Sequence, residues 1–143
     1  MKIYDATNQI LGRLASVIAK NLLNGENVIV VNAEKAILSG NPRSKKEFYL
    51  QKIHKGDPHH GPFFSRYPDA IFRRTVRGML PWDKPKGKKA FKRLKVFIGF
   101  PDELKNKLKE APIQLKEADV SKLKTKYITL EELSLALGAK KRW

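Results

Sequence analysis

The N-terminal part of the chain has the order strand, helix, strand, and this order constrains the fold more than any other feature. Residues 11–22 place apolar side chains at the spacing of one helix face, namely at Leu11, Leu14, Ala15, Ile18 and Leu22. A short strand candidate, residues 2–4, precedes this helix, and the apolar run VIVV, residues 28–31, follows it. Such an unbroken run is typical of a strand that is buried on both faces of a parallel sheet. The order predicts a right-handed βαβ unit.

Further segments continue the α/β pattern. Short apolar runs predict strands at residues 36–38 and 95–98. Helices are predicted at residues 42–53, 68–80, 102–110 and 130–137. Asn41 and Thr129 are well placed to cap two of these helices. Asp5, Thr7 or Asn8 is expected to cap the first helix, and Gly12 is expected to let it pack closely on the sheet.

Length and composition limit the class of protein. A chain of 143 residues with 41% hydrophobic content is most simply one domain over residues 1–143, in which residues 102–126 form a weakly patterned surface segment. The absence of cysteine excludes disulfides, zinc fingers and thiol nucleophiles. The sequence contains no apolar run of about 18 residues and no signal-peptide pattern at its start. The expected location is the cytoplasm.

Positive charge is concentrated in one segment. Residues 66–95 contain eleven lysines or arginines and two aspartates, a net charge of +9 within a chain total of +16. The helix predicted here carries Phe72, Val76, Met79 and Leu80 on one stripe and Arg73, Arg74 and Arg77 on another face. A lysine-rich loop or short helix follows at residues 86–93. A solvated basic face is the plain alternative, but this density of like charge is self-repulsive and favours a polyanionic partner.

The loop at residues 54–62 contains all three histidines of the chain. His59 and His60 with Asp57 permit a second hypothesis, an α/β enzyme that acts on a nucleotide with these residues as its acid and base. A metal site in this loop is disfavoured because the loop is punctuated by Gly and Pro. A nucleotide-binding site after the first strand is disfavoured because the turn there lacks a glycine-rich phosphate motif. A third hypothesis is binding to an anionic membrane surface, which conflicts with a basic helix tied to a core.

Several ordered motifs resemble one known family. They are DATNQILGRLAS (residues 5–16), VVNAEKAILSG (30–40), RTVRGMLP (74–81) and RLKVFIGFP (93–101). Together they resemble the large-subunit ribosomal protein family numbered thirteen, over at least residues 1–101. The ending YITLEELSLALG, residues 127–138, is similar to the archaeal branch, which is related to the eukaryotic one.

The resemblance implies an α/β fold, three-layer α/β/α with a central, mainly parallel sheet of about four strands. It implies a structural constituent of the large ribosomal subunit that binds large-subunit ribosomal RNA beside neighbouring ribosomal proteins and supports assembly and translation. It implies no catalysis, cofactor, metal, membrane or small-molecule substrate. The candidate RNA-binding residues are Arg43, Lys45, Lys46, Lys52, His54, Lys55, His59, His60, Arg66, Arg73, Arg74, Arg77, Lys84, Lys86, Lys88, Lys89, Lys92 and Arg93.

The two halves of the basic segment are expected to behave differently. The helix arginines are held by the packed residues below them and should be ordered before RNA binds. Lys84, Lys86, Lys88 and Lys89 are expected to lie in a Gly-containing loop that stays mobile until RNA binds. Arginine suits bidentate contacts and stacking, whereas lysine supplies diffuse attraction.

Overall fold

A computed structural model describes residues 1–108, 111–141 and 143. The described residues form five strands and six helices, with three short 3-10 turns at Ala33–Lys35, Lys116–Ala118 and Val120–Lys122. The elements in chain order are β1 (Lys2–Asp5), α1 (Leu11–Leu23), β2 (Val28–Val31), β3 (Ile37–Ser39), α2 (Pro42–His54), α3 (Pro68–Gly78), α4 (Pro85–Lys92), β4 (Leu94–Val96), α5 (Asp102–Lys107), β5 (Tyr127–Thr129) and α6 (Leu130–Ala136).

The central sheet is parallel and has the strand order β1-β2-β4. Ile3 lies opposite Ile29, and Val30 lies opposite Val96. Among the described residues this sheet has three strands rather than the expected four or so. The difference arises because β3 pairs antiparallel with β5 in a separate two-stranded sheet. Strand β2 has the predicted bounds, and all four of its residues are buried.

Helices cover both faces of the central sheet, which confirms the predicted layered α/β fold. Val28 and Val30 face the larger core, where α1, α3, α4 and α6 supply most of the buried side chains. Ile29 and Val31 face a smaller core that is closed by Phe97, Phe100 and residues of α5 and its end. Burial on both faces explains why β2 carries an unbroken apolar run.

Strand β4 begins and ends earlier than the predicted span of residues 95–98. Its residues Leu94 and Val96 are buried, whereas Lys95 between them is exposed. The backbone N–H of Phe97 still donates to the carbonyl of Val30, at 2.8 Å, and the chain then turns at Gly99 with φ of +70°. Residues 97–98 are therefore partly buried and follow the strand rather than belong to it.

The expected cap of α1 was wrong. The residue before the helix is Ile10, whose side chain has no acceptor. Asp5 instead organises the preceding turn, where its carboxylate accepts from the Thr7 backbone N–H at 3.0 Å and from the Thr7 hydroxyl at 2.7 Å. Gly12 is exposed, and a methyl group added there would meet open space among the described residues, so it does not serve close packing on the sheet.

Two other helix starts are as predicted. The side chain of Asn41 accepts from the backbone N–H of Arg43 at 3.0 Å before α2. The hydroxyl of Thr129 accepts from the backbone N–H of Glu132 at 3.2 Å before α6. These caps satisfy amide groups that the first helical turn leaves without carbonyl partners.

Residues 113–122 are tied to the start of the chain, although their sequence pattern is weak. The backbone N–H of Ile113 donates to Ile3 at 2.8 Å, and the carbonyl of Ile113 accepts from Asp5 at 3.0 Å. Ala118 is fully buried, and its carbonyl accepts a hydrogen bond from the backbone N–H of Ile10. Helix α5 ends at Lys107, and Leu108 after it is extended. Residues 109–110, the last two of the predicted helix, lie outside the described residues.

No helix in the described ranges is both long enough and apolar enough to cross a membrane.

Candidate nucleic-acid interface

Helix α3 presents arginines on a face opposite its buried residues. Pro68 occupies its first turn and Asp69 lies near the positive end of the helix dipole, as predicted. Ile71, Phe72 and Val76 are buried at 1%, 0% and 0% exposure. The arginines at positions 73, 74 and 77 are therefore carried by a helix whose inner face is fixed in the core.

Met79 does not belong to the buried stripe of this helix. It follows the last residue of α3, Gly78, and its side chain is 42% exposed, whereas the next residue, Leu80, is buried. The helix ends two residues before the predicted bound because the chain turns towards Pro81, so that Leu80 rather than Met79 reaches the core.

Each arginine of α3 lies over an aromatic ring. The guanidinium carbon of Arg77 is 4.2 Å from the ring centroid of Trp82, and that of Arg73 is 4.8 Å from the centroid of Phe91. The third pair, Arg74 with the ring of Phe64, has a separation of 5.0 Å. Such contacts attract a cation to the face of the ring and limit its side-chain freedom. The stacked-arginine face is defined here as Phe64, Arg73, Arg74, Arg77, Trp82 and Phe91.

The rings of this face are positioned by the turn into α4. Trp82 and Phe91 meet edge to face, with centroids 5.3 Å apart and an interplanar angle of 85°. The backbone N–H of Trp82 donates to Leu80 at 2.9 Å, and that of Lys84 donates to Pro81 at 3.1 Å. The rings of Trp82 and Phe91 are thereby in contact with each other, and together they support Arg77 and Arg73.

A depression of about 420 Å³ lies within the stacked-arginine face. The residues that line it are Ser65, Ala70, Arg73, Arg74, Arg77, Trp82 and Phe91. Cation and ring surfaces thus alternate around one shallow recess.

The lysine-rich segment after Asp83 is a helix, which confirms the short-helix alternative and contradicts the Gly-containing loop. Pro85 begins α4, where its missing N–H does no harm, and Gly87 and Ala90 are buried against the rest of the protein. A methyl group added at Gly87 would overlap the backbone of Pro81, so the glycine allows close packing and does not break the helix. The lysines on or next to this helix, all exposed, are Lys84, Lys86, Lys88, Lys89 and Lys92.

Arg93 differs from the other candidate residues because it is half-buried and one of its nitrogens serves the fold. Its Nη1 donates to the carbonyl of Leu22 at 2.7 Å. That carbonyl lies in the last turn of α1, where it also accepts from the backbone N–H of Gly25 at 3.1 Å. Arg93 therefore joins the ends of α4 and α1.

Helix α2 adjoins the stacked-arginine face through aromatic contacts. The rings of Tyr49 and Phe64 are 5.6 Å apart, and Lys52 Nζ lies 4.4 Å from the centroid of Phe48. Four candidates on or next to α2 are exposed, namely Arg43, Lys52, His54 and Lys55, whereas Lys45 and Lys46 are half-buried. The Nε of Arg43 lies 3.3 Å from the carboxylate of Glu47. Arg66, in the segment before α3, is exposed.

The histidine loop forms a surface turn around Asp57. Its carboxylate accepts from the backbone N–H of His59 at 2.9 Å, and its other oxygen is 3.3 Å from Nδ1 of His60. The hydrogen bond from the His59 backbone, and to a smaller extent the contact with His60, hold the pKa of Asp57 below its ordinary value. Within the described residues, no three His, Cys, Asp or Glu side chains come together as a metal site. Both histidines are exposed.

Sequence reasoning missed the ring partners of the arginines. None of Phe64, Trp82 and Phe91 was singled out as a partner of an arginine. The available signal was an aromatic residue close to each end of a basic helix, since aromatic residues interleaved with basic ones are typical of nucleic-acid-binding surfaces. The pairing of particular rings with particular arginines depends on the turn that brings α4 against α3.

Known proteins resemble this chain over most of its length. The sequence profile of the family described as Ribosomal protein L13 matches residues 1–103. The large ribosomal subunit protein uL13 of Methanopyrus kandleri is 53% identical over 137 residues, which cover 95% of this chain and 86% of that protein. The protein of the same name from Archaeoglobus fulgidus is 49% identical over 138 residues, with 95% and 86% covered.

A third relative extends the match to the whole of its own length. The large ribosomal subunit protein uL13 of Methanosarcina barkeri is 44% identical over 142 residues, which cover 98% of this chain and 99% of that protein. These relatives are all archaeal, in agreement with the archaeal-type ending of the sequence. The chain belongs to the ribosomal protein L13 family.

Proposed function

We propose that this chain is a structural constituent of the large ribosomal subunit, in which it binds large-subunit ribosomal RNA as a single domain. The observation that carries the proposal is the stacked-arginine face, where three guanidinium groups are held over rings on a helix fixed in the core. Five exposed lysines on or next to α4 extend the same positive surface. The names of the archaeal relatives support the ribosomal setting.

The physical basis of binding is charge neutralisation on an ordered surface. Lysine and arginine displace cations that are condensed on the RNA backbone, which gives affinity that falls steeply with salt. Each arginine of α3 is already held against a ring, so less side-chain freedom is lost when it contacts RNA. The α3 arginines thus provide geometric selectivity, while the α4 lysines provide attraction that is insensitive to sequence.

The remaining candidates form the periphery of this proposed surface. Lys52 lies next to Phe48 and Tyr49, and its Nζ is 5.4 Å from the ring centroid of Phe64 in the stacked-arginine face. We assign diffuse phosphate contacts to this outer set, which comprises Arg43, Lys45, Lys46, Lys52, His54, Lys55, His59, His60 and Arg66. Neighbouring large-subunit proteins are the proposed protein partners.

The experiment is a salt titration of binding to large-subunit ribosomal RNA and to a random RNA of equal length. Lys88→Ala should lower the slope of log affinity against log salt by about 0.7–0.9 and weaken both RNAs equally. Arg77→Ala should weaken the ribosomal RNA more than the random RNA. An affinity that does not change with salt would contradict RNA binding itself.

A second experiment addresses the ribosomal setting. Lysate of the source cells is separated on a sucrose gradient, and the protein is located with an antibody. It should migrate with the large subunit at low salt and leave that fraction only when the salt is raised enough to strip basic proteins. Recovery at the top of the gradient under all conditions would contradict the proposed assembly.

The enzyme hypothesis is not retained. Membership of a family of structural ribosomal proteins accounts for the chain without catalysis. Asp57 is an exposed carboxylate engaged with the backbone of its own turn, and His59 and His60 are exposed beside it. This geometry is that of a surface turn.

A further inference from the structure

The depression in the stacked-arginine face is lined by ring and apolar surface as well as by cations. Phosphate binding needs only exposed cations, and α4 already provides five lysines. The depression, by contrast, is bounded by the rings of Trp82 and Phe91 and by the methyl group of Ala70. Apolar and ring surfaces that remain accessible next to guanidinium groups match a flat, polar-edged ligand better than a phosphate alone.

We propose that this depression holds one unpaired base of the RNA, stacked against the ring-supported guanidinium groups of Arg73 and Arg77. This rests on the proposed function and specifies the RNA element that the face recognises. Unpaired RNA bases stack both on aromatic side chains and on guanidinium planes, whereas a paired base is enclosed within its helix. Only a base turned out of the helix reaches into the recess.

The charge of the depression fits a base together with its own phosphate. Among the described residues that line it, three are arginines and none is acidic. Arg73 and Arg77 lie over Phe91 and Trp82, while Arg74 lies over Phe64 on another side. Because Arg74 stands over Phe64, apart from the rings of Trp82 and Phe91, it is assigned to the phosphate that flanks the stacked base.

Trp82 provides a direct reporter of occupancy. It is 36% exposed and lies between Arg77 and Phe91. The chain contains two tryptophans, so Trp143→Phe leaves Trp82 as the single tryptophan. Its fluorescence should be quenched by a base that stacks within the depression, and unchanged by a phosphate that only approaches the arginines.

The test uses three short RNA hairpins in the Trp143→Phe background. One carries a single unpaired adenosine, the second is fully paired, and the third has an abasic nucleotide in place of the unpaired adenosine. The abasic hairpin keeps the kink and the phosphates but lacks the base. The adenosine hairpin should bind roughly 5- to 150-fold more tightly than the abasic one, the range expected for one stacked base, and it alone should quench Trp82.

A charge-preserving variant separates stacking from attraction. Arg77→Lys keeps the positive charge but removes the planar group, so the preference for adenosine over the abasic hairpin should fall while the salt slope is unchanged. Arg13→Lys, on the exposed face of α1 and outside the residues assigned to RNA binding, is the matched control and should keep the preference. Circular dichroism confirms that each variant is folded, and Trp82→Leu provides a second removal of the stack.

Each outcome decides the matter. Equal affinity for the three hairpins, with normal salt dependence, would overturn the base pocket and leave RNA binding intact. Unchanged preference in both Arg77→Lys and Trp82→Leu would also overturn it. Failure to bind any of the hairpins or large-subunit ribosomal RNA would overturn the proposed function together with the pocket.

Discussion

Gly87 of α4 lies directly against the carbonyl group of Pro81. A side chain of even one carbon at this position would overlap the carbonyl carbon and oxygen. The carbonyl has little freedom to move away, because it accepts a hydrogen bond from the backbone N–H of Lys84 at 3.1 Å. This contact sets how closely α4 approaches the end of α3, and with it the position of Trp82 beside Arg77.

Gly87→Ala is therefore expected to destabilise the protein by about 1–3 kcal/mol, the range for overpacking a buried site. The matched control is Gly78→Ala, at the end of α3, where an added methyl group meets open space among the described residues. That change should be neutral or stabilising by up to about 1 kcal/mol. Urea denaturation of both variants measures the difference, and equal stability would contradict the packing role of Gly87.

Arg93 and Lys92 should separate stability from RNA binding. Arg93→Met removes the donor to the Leu22 carbonyl, which is expected to cost about 1–2 kcal/mol because the contact is charged but only partly buried. Lys92→Met, at an exposed neighbouring position, should change stability by less than about 0.5 kcal/mol. Lys92→Met should instead lower the salt slope of RNA binding by about 0.7–0.9. The same effect on stability from both substitutions would rule out this assignment.

Asp5 should make the stability of the protein sensitive to acid. Burial opposes ionisation, but hydrogen bonds from the side chains of Thr7 and Asn32 and from the Thr7 backbone outweigh it and hold the pKa of Asp5 below its ordinary value. Because the pKa is lowered in the folded state, the stabilisation is complete above the unfolded-state pKa of about 3.9. It is lost as the pH falls through the lower, folded-state value.

Asp5→Asn is expected to reduce the free energy of unfolding at pH 7 by about 1 kcal/mol, since the new amide donates where the carboxylate accepted. The difference from the wild type should shrink as the pH falls below about 4. Asp83→Asn, at an exposed position, is the control for removal of one negative charge. Urea denaturation across this pH range tests the effect, and a difference that grows in acid would contradict the sign.

Helix α4 should be formed in the absence of RNA. Its residues Gly87 and Ala90 are buried, and buried helical amides exchange slowly with solvent. Hydrogen exchange on the free protein should show protected amides at residues 89–92 and fast exchange at residues 58–60 of the histidine loop. Exchange at 89–92 as fast as in that loop would restore the mobile segment that the sequence predicted.

Local patterns predicted the elements that depend on local physics. The bounds of β2 follow from four consecutive apolar residues, and the starts of α2 and α6 follow from Asn41 and Thr129, whose side chains act within three residues. The buried face of α3 follows from the helical period of Phe72 and Val76. The family resemblance added the layered arrangement, which these patterns alone left open.

The features that were missed depend on long-range contacts. Gly87 is a poor helix former, and only its approach to Pro81 shows why a helix needs glycine there. Residues 113–122 are held largely by backbone groups and by single side-chain contacts, which leave no periodic signal in the sequence. The arginine–ring pairs, which define the candidate interface, join residues from separate elements and so cannot be assigned from spacing.

The bonds between residues 113–118 and residues 3–10 also determine when folding can be completed during synthesis. Contacts such as Gln114 with Asp5 and Leu115 with Gln9 span 109 and 106 positions of sequence. During translation, β1 emerges first and keeps one edge open until these late residues leave the exit tunnel. The nascent chain therefore carries its basic segment into solution before its sheet is complete, at the stage when an unfinished protein is most exposed to unwanted association with other nascent chains.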